Sequence, residues 1–255
     1  MRIAVCVKHA IDETELRVDS GGRPQLDGAA SKMSTFDKNA VEEALRLRSP
    51  QGDEVVTFSL GALDAKKTVK ETLAMGSDKG VLILADHSSM DALGIAGLLS
   101  AAVAKYGPFD LVLCSEGSSD IYSGLVPAML AELLGFAYVG YARKIALGGR
   151  TATVERSLEE SVESVEAPLP LVVSVVSEIN EPRYPTLIQI MQASKKPMEV
   201  LEAGQLGPPN PHPPVALISM SAQPANRKRI MLDGSPDEAA AKLVQALEKE
   251  GVLSR

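Results

Sequence analysis

The chain has no tryptophan, four phenylalanines and five tyrosines among 255 residues. It therefore offers little for the aromatic platforms on which nucleic-acid bases stack. Basic residues are also in deficit: a net charge of -7 and a single short basic run, Arg227-Lys228-Arg229, exclude a binder of the phosphate backbone. The two cysteines, Cys6 and Cys114, lie inside apolar runs, form no C-x-x-C and are expected to be small core residues. His9, His87 and His212 are scattered, which leaves no ligand spacing for zinc or iron. No apolar run reaches the roughly 20 residues of a membrane span. The opening Met-Arg-Ile-Ala-Val-Cys-Val starts a strand at once and leaves no room for a leader, so a cytoplasmic protein without membrane insertion is expected.

A hydrophobic content of 45 % is enough for a substantial core. Residues 2–8 form a continuous apolar run, as expected for a parallel strand covered on both faces. An exposed turn or hairpin around Gly21-Gly22 follows over 17–27. Thr35 is the expected cap of a helix through Phe36, Ala40, Val41, Ala44, Leu45 and Arg48, with Glu42, Glu43 and Arg46 on its polar face and Pro50 and Gly52 stopping it. Strands are expected at 55–60, 81–85 and 110–115, and helices at 62–75, 88–106 and 125–134. This alternation defines an α/β protein with a doubly wound, mostly parallel sheet of Rossmann-like type. Residues 143–147 and 151–157 flank Gly148-Gly149 and read as an antiparallel hairpin that 161–167 extends. Residues 171–176 return to an interior strand.

In such a sheet the ligand crevice lies beyond the carboxyl ends of the strands, where helix N-termini offer free N–H groups. Three segments converge there: 6–9, 59–61 and the hydroxyl-rich 115–124, in which Gly124 permits close backbone approach. There is no G-x-G-x-x-G, no G-x-x-x-x-G-K-[ST] and no G-x-S-x-G, so no dinucleotide fingerprint, Walker loop or nucleophile elbow indicates catalysis. Glu116 and Asp120 have neither nucleophile nor metal ligand beside them and are expected to be solvated loop charges.

Residues 180–197 form an irregular, projecting stretch stiffened by Pro182 and Pro185. Thr186 then caps a short helix bearing Leu187, Ile190 and Met191 on one face, with Lys195, Lys196 and Pro197 marking its C-terminal end. That face either packs back on its own domain or docks in a partner's groove. Residues 207–214, with five prolines, read as a semi-rigid extended linker. Ser235-Pro236-Asp237-Glu238 is a capping box opening a helix with Ala240, Leu243, Val244 and Leu247 on one face. The helix either returns to its own core or embraces another chain. The expected division is 1–200 for the α/β domain and 201–255 for linker and arm.

Asn180-Glu181-Pro182-Arg183-Tyr184 with Thr186-Leu187, Ile190-Met191, Ala193 and Lys195-Lys196-Pro197 resembles the signature of the electron-transfer flavoprotein beta subunit. Ala4-Val5-Cys6-Val7-Lys8, Phe36-Asp37 with residues 39–47, and Thr72-Leu73-Ala74-Met75-Gly76 support the resemblance, which spans nearly the whole chain. It implies a non-catalytic carrier subunit in a heterodimer with an alpha subunit that holds the redox-active FAD. Electrons pass from acyl-CoA or other dehydrogenases to an acceptor such as a quinone oxidoreductase. It further implies an adenine nucleotide in this subunit, either AMP or, in electron-bifurcating members, a second FAD. By alignment its contacts fall on Cys6, Lys8, Ser34 to Asp37, Leu60 and Ser115 to Val126, foremost Ser34, Phe36, Asp37, Ser115, Gly117, Asp120, Ser123, Gly124, Leu125 and Val126. Leu187 matches the family's anchor into a partner dehydrogenase, with Tyr184, Ile190 and Met191 beside it.

Ordinary members place Asn-Gln-Thr, and bifurcating members Ala-Gln-Val, where this chain has Gly124-Leu125-Val126. Val126 leans toward the second flavin. Two other readings compete: a stand-alone nucleotide-binding regulator resembling universal stress proteins, and an enzyme acting on an adenylated substrate. A partner-embracing arm counts against the first and the absent catalytic constellation against the second.

Overall fold

The computed structural model describes residues 1–26, 28–49, 52–86, 90–207, 215–222 and 228–253. Pro50, His87, Ser88, the prolines of 208–214 and Arg227 lie outside the described residues, and with them the expected helix stop, the expected start of the 88–106 helix and the expected linker.

Strand β1 (Arg2–Ile11) is flanked by β5 (Glu54–Gly61) and β7 (Leu111–Ser115), both parallel to it. Outward from β5 come β6 (Lys79–Leu84) and β12 (Met198–Glu202), and outward from β7 come β11 (Leu171–Val175) and β8 (Ala137–Gly148), all parallel. β9 (Thr151–Ser157) and β10 (Val162–Pro168) then pair antiparallel on the β8 side, giving the expected hairpin and its extension. Two short antiparallel pieces, β2 (Arg17–Val18) and β3 (Pro24–Gln25), form the expected exposed hairpin, and β4 (Ser31–Met33) pairs with the last residues of β1. Strand β12 was not anticipated. Its alternating Met-Glu-Val-Leu-Glu follows Pro197 and buries only Leu201, the pattern of an edge strand.

Side-chain alternation along β1 divides the core. Ile3, Val5 and Val7 face α1 (Thr35–Leu47), whose Ala40, Val41, Ala44 and Leu45 complete one apolar layer. Ala4 and Cys6 face α3 (Ala92–Tyr106) and α4 (Val126–Leu134), meeting Leu98, Leu99, Val103 and Leu130. A third layer joins α2 (Lys66–Met75) to β6 through Val69, Leu73 and Leu82 and takes in Ala193 of α5 (Leu187–Ala193). Helices thus cover both faces, which is why the interiors of β5, β6, β7 and β11 are buried throughout.

Several boundaries differ from expectation. The cap of α1 is Ser34, not Thr35, and it makes no side-chain capping bond because its hydroxyl instead accepts the Ser119 N–H at 3.2 Å. The helix ends at Leu47 with Arg48 as its cap. A 3-10 turn at Leu63–Ala65 precedes α2, and α3 opens at Asp91, whose carboxylate caps Gly94 N–H at 2.9 Å. Glu42 and Glu43 are not on a solvated face: they are 3 % and 7 % exposed. The pattern of α1 did not reveal that a loop from the far end of the chain covers them. Past a 3-10 turn at Ala203–Leu206, α6 (Pro236–Lys249) forms with the expected capping box, and none of its residues is buried.

Candidate functional site

The chain runs from β1 to β5 and β6 in one direction and reaches β7, β8 and β11 in the other. β1 and β7 are therefore the neighbours at which the winding reverses, and in sheets of this kind the ligand crevice lies beyond the carboxyl ends at that point. Pairing with β4 carries the chain back across the end of β1, where Ser34 N–H donates to Lys8 O at 3.1 Å. This delivers the first turn of α1 to the crevice.

Asp37 ties the three elements together. Its carboxyl accepts the Lys8 N–H at 2.6 Å and makes a very short bond to the Ser115 hydroxyl, which also reaches Gly117 O at 2.8 Å. Burial pushes the Asp37 acid up to about 7, against the opposing pull of Ser115 and Lys8. A hydroxyl has one proton, so Ser115 cannot serve both Gly117 O and an ionised Asp37; a protonated Asp37 removes the conflict by donating to Ser115.

Asp120 and Glu116 are not the solvated charges expected. The Asp120 side chain is 11 % exposed and accepts from Lys8 Nζ at 2.7 Å, Ser118 Oγ at 2.6 Å and Ile121 N at 2.8 Å. Burial raises this acid, but the bonds from Lys8 and Ser118 outweigh it and hold it below the usual range. Glu116 is half-buried, and burial raises it against its bond from Tyr122.

Lys8, Ser34, Asp37, Ser115, Gly117 and Asp120 thus form one bonded network. Phe36 joins it through an edge contact with Tyr122, ring centroids 5.6 Å apart. Cys6 and Leu60 lie beneath, buried in the layer facing α3 and α4. The Cys114 thiol is held well above its ordinary value by the neighbouring Cys6 and by burial. At the rim, Ser123 and Leu125 are exposed, and Gly124 takes a left-handed φ of 65°. A Cβ at Gly124 would lie 3.3 Å from Glu116 O, so glycine allows this tight return. Helix α4 begins at Val126 with no side-chain cap, which leaves its first N–H groups to be satisfied from outside the helix, Pro127 having none to offer.

Ser118, Ser119 and Tyr122 belong to the same hydroxyl-rich run and fall within the expected contact stretch 115–126. Tyr122 has a left-handed φ of 52° and lays its ring on Gly117, where a Cβ would stand 2.8 Å away. Ser119 Oγ is buried without a hydrogen-bond partner among the described residues. That orphaned hydroxyl and the uncapped α4 N-terminus suit a phosphate-bearing ligand, while the charge of Lys8 is already matched by Asp120.

The second cluster lies on α5. Thr186 caps α5 as expected and Gln189 completes a capping box, and Leu187, Ile190 and Met191 are 77 %, 52 % and 70 % exposed, with Tyr184 at 89 %. Of this helix only Ala193 is buried. The Lys196 backbone N–H closes the end of α5 on Ala193 O at 3.2 Å, but its side chain goes elsewhere. Its ammonium donates to Leu73 O at 3.0 Å and Ser77 O at 2.7 Å, at the C-terminal end of α2.

Among the described residues no group of His, Cys, Asp and Glu could hold a metal ion, and no helix is long and apolar enough to cross a membrane. An open, doubly wound sheet with hydroxyls and helix N–H groups gathered at its reversal point belongs to the class of α/β proteins that take ligands in this crevice. Residues 26–206 match the family model described as the electron transfer flavoprotein domain. The chain belongs to the electron transfer flavoprotein family. The family is one of flavin-associated electron carriers.

Proposed function

We propose that the chain is the beta-type subunit of a heterodimeric electron-transfer flavoprotein, passing electrons from a dehydrogenase through FAD to a downstream acceptor. The observation that carries the reading is the outward-facing apolar surface of α5 on a chain of this family. Exposed contiguous apolar surface marks an interaction site, and burying one leucine is worth roughly 1.5 to 3 kcal/mol, enough to anchor a transient complex. The described tail supports a second contact, with the alpha subunit: Val215, Leu217, Ile218, Ile230 and Met231 are exposed, as are Leu243 and Val244 on α6.

The crevice would hold an adenine nucleotide. Ser119, the N–H groups opening α4 and the close approach at Gly124 would bind its phosphate, Leu60 and Phe36 would flank it, and Asp37 and Asp120 would fix the surrounding loops. The flavin supplies the redox chemistry; this chain supplies position. Val126 favours a second FAD over AMP.

The test is co-expression with the alpha subunit, followed by denaturation and chromatographic quantification of FAD and AMP. Co-purification with two FAD and no AMP per heterodimer is expected. One FAD with one AMP would make the crevice the site of an ordinary carrier. A chain that purifies alone with bound nucleotide would overturn the carrier reading in favour of a stand-alone regulator.

A further inference from the structure

The docking stretch is held at both ends. At its back, Lys196 bonds the end of α2; at its front, residues 177–183 are tied to the middle of α1. Asn39 Nδ2 donates to Ser177 O at 2.9 Å and Asn180 O at 2.8 Å, and Asn180 Nδ2 returns bonds to Asn39 O and Glu43, both at 3.0 Å. Beside them the Glu42 carboxylate accepts four bonds: from Arg183 Nε at 2.7 Å, Nη2 at 3.0 Å and backbone N at 3.2 Å, and from Arg46 Nε at 2.7 Å.

We propose that Glu42 is the positioning residue of the docking segment: by gripping both the guanidinium and the backbone of Arg183, it sets where Leu187 stands. The inference rests on reading α5 as the docking element. Its basis is chain geometry. Pro182 and Pro185 fix φ on either side of Arg183-Tyr184, and Thr186 already caps α5. Little torsional freedom therefore separates the clamp from the face that carries Leu187. A side-chain carboxylate 4 % exposed is an expensive group to bury unless every lone pair is engaged, and here the donors come in the fork geometry that arginine provides. An apolar contact would hold the loop to α1 without choosing its direction; the two-pronged pair chooses it.

The same helix meets the crevice at Asp37, one turn before the clamp. The docking face is thereby referred to the same helix that frames the ligand site.

The experiment uses the heterodimer with an acyl-CoA dehydrogenase as electron donor, and compares Glu42→Gln, Arg183→Lys, Leu187→Ala and the Glu42→Gln/Leu187→Ala double variant. Hydrogen exchange across 180–193 and the KM and kcat for transfer are measured on each. Glu42→Gln should speed exchange in 180–193 alone and raise KM about three- to tenfold with kcat unchanged; in the Leu187→Ala background it should add less than about twofold, because the two act through one contact. Arg183→Lys, which keeps the charge and loses the fork, should do the same, and carries the test if Glu42→Gln fails to fold. A KM raised by Leu187→Ala but untouched by both clamp variants, or clamp effects that add fully to those of Leu187→Ala, overturns the positioning role alone. A KM unmoved by Leu187→Ala overturns the docking reading and this inference with it.

Discussion

Asp37→Asn isolates the proton held in the crevice. Burial lifts the folded acid from the ordinary 3.8 to about 7, so between these values the folded chain keeps a proton that the unfolded chain has released. Stability contributed by this group is therefore complete below the window and is lost as pH rises through it. At 1.36 kcal/mol per pH unit the loss accumulates to an upper limit on the order of 4 kcal/mol, reduced by whatever the loop relaxes to admit water. Asparagine keeps the acceptor for Lys8 N–H and supplies permanently the donor that Ser115 takes only from a protonated acid. Urea unfolding of the full chain at pH 5 and pH 8, wild type against variant, removes the contributions of all other groups by difference. The variant should gain relative to wild type as pH rises, by about 1 to 3 kcal/mol across that interval. A difference independent of pH, or a variant that loses ground at pH 8, would refute the reasoning and show that Lys8 and the α1 N-terminus stabilise an ionised Asp37.

Two further substitutions probe the scaffold. A Cβ at Gly80 would stand 2.3 Å from Val69 Cγ1, so Gly80→Ala should force β6 and α2 apart and cost about 1 to 3 kcal/mol, read as a fall in urea midpoint. Ser235→Ala breaks the capping box of α6 and should cost that helix about 1 kcal/mol; because α6 buries none of its own residues, the loss should show as faster amide exchange over 236–249 with the global midpoint unchanged.

The division of labour between sequence and structure follows interaction range. The apolar runs of β1, β7 and β11 announce a covered parallel sheet because burial on both faces leaves no alternation. Thr186 with Gln189 and Ser235 with Glu238 are legible because a cap is a local bond. The hydroxyl-rich 115–124 loop marked the crevice for the same reason. What stayed hidden joins distant segments: Asp37 to Ser115, Lys8 to Asp120, Glu42 to Arg183 and Lys196 to the end of α2. Glu42 shows this most plainly, since its spacing from Arg46 is that of an ordinary surface pair, which it does make at 2.7 Å, and only a loop from the far end of the chain turns it into a buried group.

The main sheet ends in β10 on one side and β12 on the other, and among the described residues no further strand pairs along either outer flank. Both carry acids at exposed positions, Glu163 and Glu166 on one and Glu199 and Glu202 on the other, with Pro168 closing β10 and Pro197 preceding β12. A copy adding itself to either margin would have to bring carboxylates against carboxylates and meet a proline that donates no bond. The margins thus disfavour strand addition, while the apolar side chains of α5 stand exposed.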